Sequence, residues 1–365
     1  MEAYRPTASR EAAAAAQYCA NVFMTFGHNS RRRIAAAESL MPDTLKALLP
    51  EVCQRFQKQR EAIVVNQQFF RGMLEAAGLV DHEEDGYLGG GEAFDDPGSI
   101  AAILTQLKRE WSADGHAERQ QCFETCLEAL KQHLPVKAGE VARSRVLVAG
   151  AGLGRANFEV ACCGYDTLGL ERAMTMYMTS QYVLGSLLPS GSQVTICPYA
   201  HEISPGPNNV RLSEHLSRTT SVPDESALAL AKSREASTTG DLRILPGDFN
   251  SFCAMEREHG RWDACLSIFY VDASGDALEA TMATRAVLKP GGLWICCGPL
   301  EFDGGGGEHR SEGALRLCGD ELLLFVERSG FDLLEVRDMA CGYTGDPLSM
   351  LQTGFKAIFF VARKQ

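Results

Sequence analysis

The chain has 365 residues, 45% hydrophobic and 22% charged, enough apolar side chain to fill a sizeable core. At about 150 residues per domain, that length suggests two domains. Lys and Arg number 35 against 47 Asp and Glu, a net charge of −12. This argues against a broad nucleic-acid surface or docking on anionic lipid, both of which need basic residues, and leaves a small-molecule substrate open. No apolar run reaches the ~20 residues that span a bilayer. Met1 to Arg5, then Glu11 and an alanine run, read as a helix start rather than a secretory signal. The 13 cysteines include the adjacent pairs Cys162-Cys163 and Cys296-Cys297, with no Cys-x-x-Cys and no His-Glu-x-x-His. The expectation is reduced, buried thiols and no metal site, in the cytoplasm, with the nucleus left open.

Residues 1–140 form a helical region. Leu45, Leu48, Leu49, Val52 and Phe56 recur at helical spacing, as do Ile63, Phe69, Phe70, Met73 and Leu74. The acidic, glycine-rich stretch 81–91 breaks the pattern. A further helix starts near Asp96-Pro97-Gly98-Ser99, with Asp96 and Ser99 as candidate N-caps, and carries Ile103, Leu104, Leu107 and Trp111. Another runs from Cys122 to Leu134 and stops before Pro135.

The pattern changes at Arg145. Val146–Ala149 is a short apolar run ending in glycines, as expected of a buried parallel strand feeding a turn. Further strands are predicted at 167–171, 242–248, 262–270 and 293–297, then near 333–338 and 357–362, with helices between most of them. Strands alternating with helices give an α/β fold, a doubly wound Rossmann-like sheet over 141–365. Residues 186 to about 240 are rich in Ser, Pro, Gly and Asn and interrupt the alternation; such an insertion reads as a lid or a disordered segment.

The most informative local feature is Val148-Ala149-Gly150-Ala151-Gly152-Leu153-Gly154-Arg155. Glycines let backbone approach a ligand, and the following helix offers unpaired N–H groups. A dinucleotide fingerprint wants its third glycine one residue later, where Arg155 stands. The Gly-x-Gly-x-Gly spacing is instead similar to motif I of class I methyltransferases, which bind S-adenosylmethionine. Three features agree. Glu171 ends the second strand, where a carboxylate can accept both ribose hydroxyls. Asp248 ends the third and can take the adenine amino group while Phe249 packs the ring. Lys289-Pro290-Gly291-Gly292 forms a turn before the fifth strand. Ile268, near the end of the fourth strand, completes the cofactor set.

From about Tyr18 onward the chain resembles the carnosine N-methyltransferases. The likeness rests on Leu104-Thr105-Gln106-Leu107-Lys108-Arg109-Glu110-Trp111-Ser112, the glycine turn, Pro198-Tyr199-Ala200-His201 and Gly247-Asp248-Phe249. It continues through Trp262-Asp263, Phe269-Tyr270-Val271-Asp272, Lys289-Pro290-Gly291-Gly292 and Gly298-Pro299-Leu300. The family methylates an imidazole nitrogen of carnosine. The resemblance implies that Gln106 and Arg109, one helical turn apart, hold the methionine end of the cofactor. It implies a pocket aspartate at Asp272 and a pocket tyrosine at Tyr343. The family's pocket histidine, three residues past Gly-Pro-Leu, falls on Asp303, with His309 nearby. A second family tyrosine falls on Phe355.

Asp272, just after the fourth strand, is the catalytic candidate: a carboxylate that accepts a hydrogen bond from one ring nitrogen leaves the other with its lone pair free. Its alternative role is a helix N-cap. The substrate-binding set is Asp272, Asp303, His309, Tyr343 and Phe355. Because of Asp303 and Phe355, two other readings stay open, a methyltransferase of a protein histidine or cationic amine, and a non-catalytic cofactor-binding homologue. Oligomeric state is not legible.

Overall fold

The computed structural model describes residues 10–79, 97–136, 143–187, 193–202, 212–236, 239–301, 316–350, 352 and 354–365. Its elements in chain order begin with helices α1 (Arg10–Ser39), α2 (Asp43–Leu48), α3 (Pro50–Ala76) and α4 (Pro97–Trp111). Then come α5 (His116–Arg119), a π-helical turn (Gln120–Glu124), α6 (Thr125–His133), β1 (Arg145–Ala149), α7 (Arg155–Cys162), β2 (Asp166–Glu171) and α8 (Met174–Tyr182). β3 (Val194–Ile196), β4 (Thr220–Val222) and α9 (Glu225–Ala236) precede β5 (Leu242–Pro246), α10 (Phe249–Cys253), β6 (Trp262–Ile268) and α11 (Ala277–Val287). The chain ends with β7 (Leu288–Gly298), α12 (Gly319–Arg328), β8 (Phe331–Gly342) and β9 (Gly354–Lys364).

Two compact units interleave along the chain. A helical unit holds Met1–His116, Met174–Ala229 and Thr344–Thr353; a sheet unit holds Ala117–Ala173, Leu230–Tyr343 and Gly354–Gln365. The sheet has seven strands in the order β5-β2-β1-β6-β7-β9-β8, with β9 antiparallel to both its neighbours and parallel pairing from β5 to β7. Strand order reverses at β1, whose neighbours are β2 and β6, and ligands of such sheets bind outside the carboxyl ends at that point. Side chains alternate across the sheet. Val146, Val148, Leu266, Ile295 and Phe359 pack on one face with Cys126 and Leu130 of α6. Leu147, Cys265, Trp294 and Phe360 pack on the other with Val287 and Leu322. Trp294 is fully buried against Phe360 and Phe331, at 5.0 and 5.7 Å between ring centres, and its Nε1 donates to Ser267 Oγ at 3.0 Å.

Lys289-Pro290-Gly291-Gly292 is not a turn ahead of the fifth strand. It is wound into β7 as a register break, between the pairs Trp262–Leu288 and Ala264–Leu293. Lys289 Nζ donates to Asp263 Oδ1 at 2.6 Å, and Asp263 Oδ2 accepts the Arg145 N–H at 2.8 Å. These motif residues tie together the amino ends of β1, β6 and β7, away from the carboxyl edge.

In the helical unit, α1 and α3 pack through Phe23, Phe26 and Phe70, with Phe69 edge-on to Tyr182. The apolar run Leu45, Leu48 and Leu49 is exposed, because Pro50 restarts the helix and α2 and α3 do not share one face. Ser99 lies inside α4 and meets Thr175 at 3.3 Å between hydroxyls instead of capping; Asp96 is outside the described residues. The described part of the insertion is not an unstructured connection. It contains β3 and β4, paired antiparallel, and α9. Asn66 of α3 brackets Cys197, donating to its carbonyl and accepting its N–H, both at 2.8 Å, and Gln59 donates to the Ala200 carbonyl. All 13 cysteines are free thiols, nine of them buried. Among the described residues no helix is long and apolar enough to cross a membrane, and no group of three or more His, Cys, Asp or Glu could hold a metal ion.

Candidate active site

The site in the sheet unit grows from the end of β1. Gly150 and Gly152 have φ of +66° and +55°, conformations that favour glycine, and a Cβ on Gly150 would lie 2.7 Å from the Tyr270 ring. The turn is thus closed from one side by Tyr270, whose hydroxyl pKa burial raises, with Asp248 adding to the effect. Gly154, φ +85°, caps α7. Arg155, which displaces the dinucleotide fingerprint, is buried and pairs with Glu159 at 2.6 Å.

Glu171, at the end of β2, accepts the Gly152 N–H on one oxygen and the Ala173 N–H on the other, both at 2.8 Å. Burial raises its pKa; the two N–H groups oppose that. A carboxylate has about four acceptor sites, so about two remain for a ligand. Asp248 follows β5 and caps α10, its Oδ1 accepting from Ser251 N and Oγ at 2.8 Å each. Phe249 is 2% exposed, edge-on to Tyr270 within the core. Its ring is thus spent on the core against Tyr270 and not left open for a ligand ring to pack on. Ile268 is buried at the end of β6, paired with Cys297.

Beyond β6 the chain turns sharply. Phe269 has φ +53°, rare for an aromatic residue, and its N–H donates to the Cys297 carbonyl at 2.8 Å. Gly298 makes room: a Cβ there would lie 3.1 Å from Phe269 Cα. The Phe269 ring stacks on Tyr343 (4.9 Å, 29°) and meets Phe355 edge-on at 6.0 Å. Register explains how β8 and β9 reach this point. Gly298, the last residue of β7, pairs with Ile358, so Phe355 and its partner Cys341 run past the carboxyl end of β7. Phe355 also lines a cavity of about 600 Å³ with Gln121, Cys341 and Lys356.

Asp272 lies three residues past Phe269. Its Oδ1 accepts the Ala273 N–H at 3.0 Å and its Oδ2 the Glu301 N–H at 3.2 Å. Burial pushes its pKa up to about 6, against the pull of those N–H groups. It is not a helix cap: α11 is capped by Asp276, which accepts from Leu278 N and Glu279 N. The Glu301 contact joins the segment after Gly298-Pro299-Leu300 to the segment after β6.

Gln106 and Arg109 lie on α4 of the helical unit. Arg109 is 3% exposed, as are its neighbours Lys108 and Glu110 to within a few per cent, so this stretch is not a solvated helix face.

A family model described as carnosine N-methyltransferase matches residues 93–365. The chain belongs to the carnosine N-methyltransferase family. Membership makes it an N-methyltransferase. The chain is 26% identical over 356 residues to the carnosine N-methyltransferase of Rattus norvegicus, covering 94% of this chain and 84% of that one. It is 27% identical to that of Mus musculus with the same coverage, and 28% identical over 335 residues to that of Dictyostelium discoideum, covering 87% and 68%. A chain from a solved complex of the Haloferax volcanii Trm112 methyltransferase activator aligns with 73% of this chain and 94% of its own at a TM-score of 0.41 and 15% identity.

For this carnosine N-methyltransferase family member, the sheet unit brings together the glycine turn, Glu171, Asp248, Ile268, Asp272, Tyr343 and Phe355 at or beyond strand carboxyl ends. Asp303 and His309 lie outside the described residues. Three contributors escaped the sequence reading: the Phe269 ring, the Tyr270 ring under Gly150, and the Glu301 N–H. The two aromatics sit in the quoted Phe-Tyr-Val-Asp run, immediately after an apolar strand, and that position was the available signal.

Proposed function

We propose that the chain transfers the methyl group of S-adenosylmethionine to an imidazole nitrogen of carnosine or a closely related histidine-containing dipeptide. The observation that carries this is Asp272, a carboxylate held by two backbone N–H groups three residues from a stacked aromatic cluster, in a member of this family.

The residues suit the cofactor. Glu171 keeps acceptor capacity for two ribose hydroxyls, whose donation would favour the ionised form that burial opposes. Asp248 spends Oδ1 on its helix and can turn Oδ2 toward the adenine amino group. Gln106 and the buried Arg109 guanidinium match the methionine end, where a fork of N–H donors suits a carboxylate. When bound, the cofactor supplies an electrophilic methyl on a sulfonium.

The chain's own part is to present a lone pair in line with that methyl, about 3 Å away and shielded from water. Only a neutral imidazole nitrogen has the lone pair. Asp272 accepts the N–H of the other ring nitrogen and so selects the tautomer. As the ring nitrogen's lone pair forms the new N–C bond, the methyl–sulfur bond would break with its pair left on a neutral thioether; positive charge then spreads over the ring, and the Asp272 carboxylate and the rings of Phe269, Tyr343 and Phe355 stabilise it. The ring N–H proton then leaves through Asp272, whose pKa near 6 suits a proton carrier near neutral pH. The cavity beside Phe355 leaves room for the part of the acceptor that does not react.

The test is a methyl-transfer assay with S-adenosylmethionine and carnosine, homocarnosine, free histidine, histidine peptides and cationic amines, the products identified by mass spectrometry. Methylation of carnosine above the other acceptors is expected. Cofactor binding with methylation of a cationic amine or a protein histidine and none of carnosine would overturn the acceptor.

A further inference from the structure

The cavity beside Phe355 has an acidic edge that the chemistry at the imidazole does not use. It lies within the sheet unit, between the ends of β8 and β9 and the π-helical turn Gln120–Glu124. Cys341 pairs with Phe355 and Gly342 with Gly354, so these last two rungs of the β8–β9 ladder line it, and Tyr343 follows directly from the same end.

Gln121 Oε1 accepts the Gly342 N–H at 2.8 Å and so docks the helical turn on the strand end. Glu118, three residues earlier and on the same helical face, is carried there with it. A Cβ on Gly342 would lie 3.1 Å from Glu118 Cγ and 3.6 Å from its carboxyl carbon. A bare glycine is what lets the carboxyl group come this close to the strand end. The main chain beneath is anchored: the Glu118 carbonyl accepts from Cys122 Sγ at 3.0 Å, and Cys122 is fully buried. The Glu118 side chain itself is half-buried.

The charges around the cavity favour a cation. Lys356 and Asp338 pair with each other at 2.7 Å and cancel. Lys356 also follows Phe355 directly in β9, and neighbouring side chains of a strand point to opposite faces. Gln121 is neutral, and Met339, Ala340, Cys341 and the glycines add no charge. Glu118 puts a negative charge beside Gly342 and Tyr343, in a recess where water screens it less than in the open. A carboxylate has about four acceptor sites, so it can serve the chain and a ligand at once.

An acceptor whose imidazole lies against Phe269, Tyr343 and Phe355 extends its other arm into this cavity. In carnosine that arm ends in a primary ammonium group. We propose that the Glu118 carboxylate takes this ammonium group and is a specificity-determining residue, so that imidazole dipeptides with a free amino end are preferred to acylated ones. Gln121 is a positioning residue that holds Gly342 against the helix carrying Glu118. This rests on the reading of Tyr343 and Phe355 as acceptor contacts.

The test compares carnosine with N-acetylcarnosine, which keeps the imidazole and the carboxylate and loses the ammonium charge. Binding to the full chain is measured by calorimetry with S-adenosylhomocysteine present, so that no turnover is needed. Wild type should bind carnosine roughly tenfold more tightly than N-acetylcarnosine, as expected for a hydrogen bond between charged groups. Glu118→Gln should weaken carnosine roughly tenfold and bring the two Kd values within about twofold of each other. Glu118→Asp keeps the charge and should retain most of the preference. Glu118→Ala is the second neutral variant, and should equalise the two acceptors in the same way if the glutamine chain does not fold. Equal Kd values in wild type would overturn the subsite. So would a loss in the neutral variants shared by both acceptors, the mark of a structural role at Gly342. Methylation of both acceptors at equal Kd would remove the subsite and keep the reaction. Amine-dependent binding of carnosine without its methylation would keep the subsite and remove the reaction, and binding of neither would remove both.

Discussion

Glu171, Asp248 and Asp272 of the sheet unit and Asp346 of the helical unit are held in different ways. In the sheet unit Glu171 and Asp272, at and beyond strand ends, each accept two backbone N–H groups, and Asp248 accepts the N–H and the hydroxyl of Ser251. In the helical unit Asp346 faces His215 and Arg218 as well as accepting the Leu348 N–H, and Lys108 is spent on a carbonyl. A carboxylate gripped by N–H groups is oriented but keeps lone pairs for a ligand. One gripped by two cations has little left to offer. The first arrangement suits chemistry and the second suits fixing a segment.

The largest expected effect comes from breaking the first arrangement at the acceptor. Asp272→Asn should lower kcat/KM by about 10² to 10⁴-fold while leaving cofactor Kd within a few-fold. The Asp272 pKa is raised to about 6, so its ionised form is disfavoured by folding; its effect on stability worsens as pH rises from about 4 to 6 and is constant above. The amide variant should therefore melt no lower than wild type at pH 7. Wild-type kcat/KM should fall below pH 6 as the carboxylate protonates. A variant within a few-fold of wild-type rate would remove Asp272 from the reaction.

A core substitution gives the contrast. Trp294→Ala removes a fully buried indole between Phe331 and Phe360 and leaves Ser267 Oγ without its donor, which should cost about 3–5 kcal/mol in denaturant unfolding. Next in size is Glu171→Gln, which should weaken cofactor binding by about 10 to 100-fold and leave the acceptor KM nearly unchanged. Equal losses for cofactor and acceptor would mean that Glu171 holds the turn and not a ligand.

Much of this was legible in the sequence where chemistry is local. Apolar runs ending in glycine or a carboxylate marked β1, β2 and β5; the strand end pointed to Glu171, while Asp272 was singled out by the family resemblance together with its place just after a strand. The motif around Lys289 was visible too, but spacing cannot tell a ligand turn from a brace, and Asp263 shows it to be a brace. The apolar face Leu45–Phe56 misled because periodicity ignores the restart at Pro50. The contacts of Phe269, and the pairing of His215 with Asp346 across 131 positions, are tertiary. No local pattern encodes them, and His215 fell within an insertion whose polar composition read as a loop.

The smallest effect tests whether the aromatic cluster belongs with the ligand-facing groups or with the packing. Phe355 is half-buried, edge-on to Phe269 and beside an open cavity. Phe355→Tyr adds one hydroxyl to an otherwise unchanged ring. If that hydroxyl points into the space the acceptor occupies, it gains a partner there, and carnosine KM should fall by up to about tenfold with Tm unchanged, since one net hydrogen bond is worth about 1 kcal/mol. If it points into the Phe269 and Tyr343 rings, it is buried without a partner, which costs about 1–3 kcal/mol; Tm would drop and KM would stay put. We expect the first result, because register carries Phe355 past the end of β7 rather than into the sheet. The second would make Phe355 a support for Phe269 and leave Asp272 and Tyr343 as the imidazole's contacts within the sheet unit.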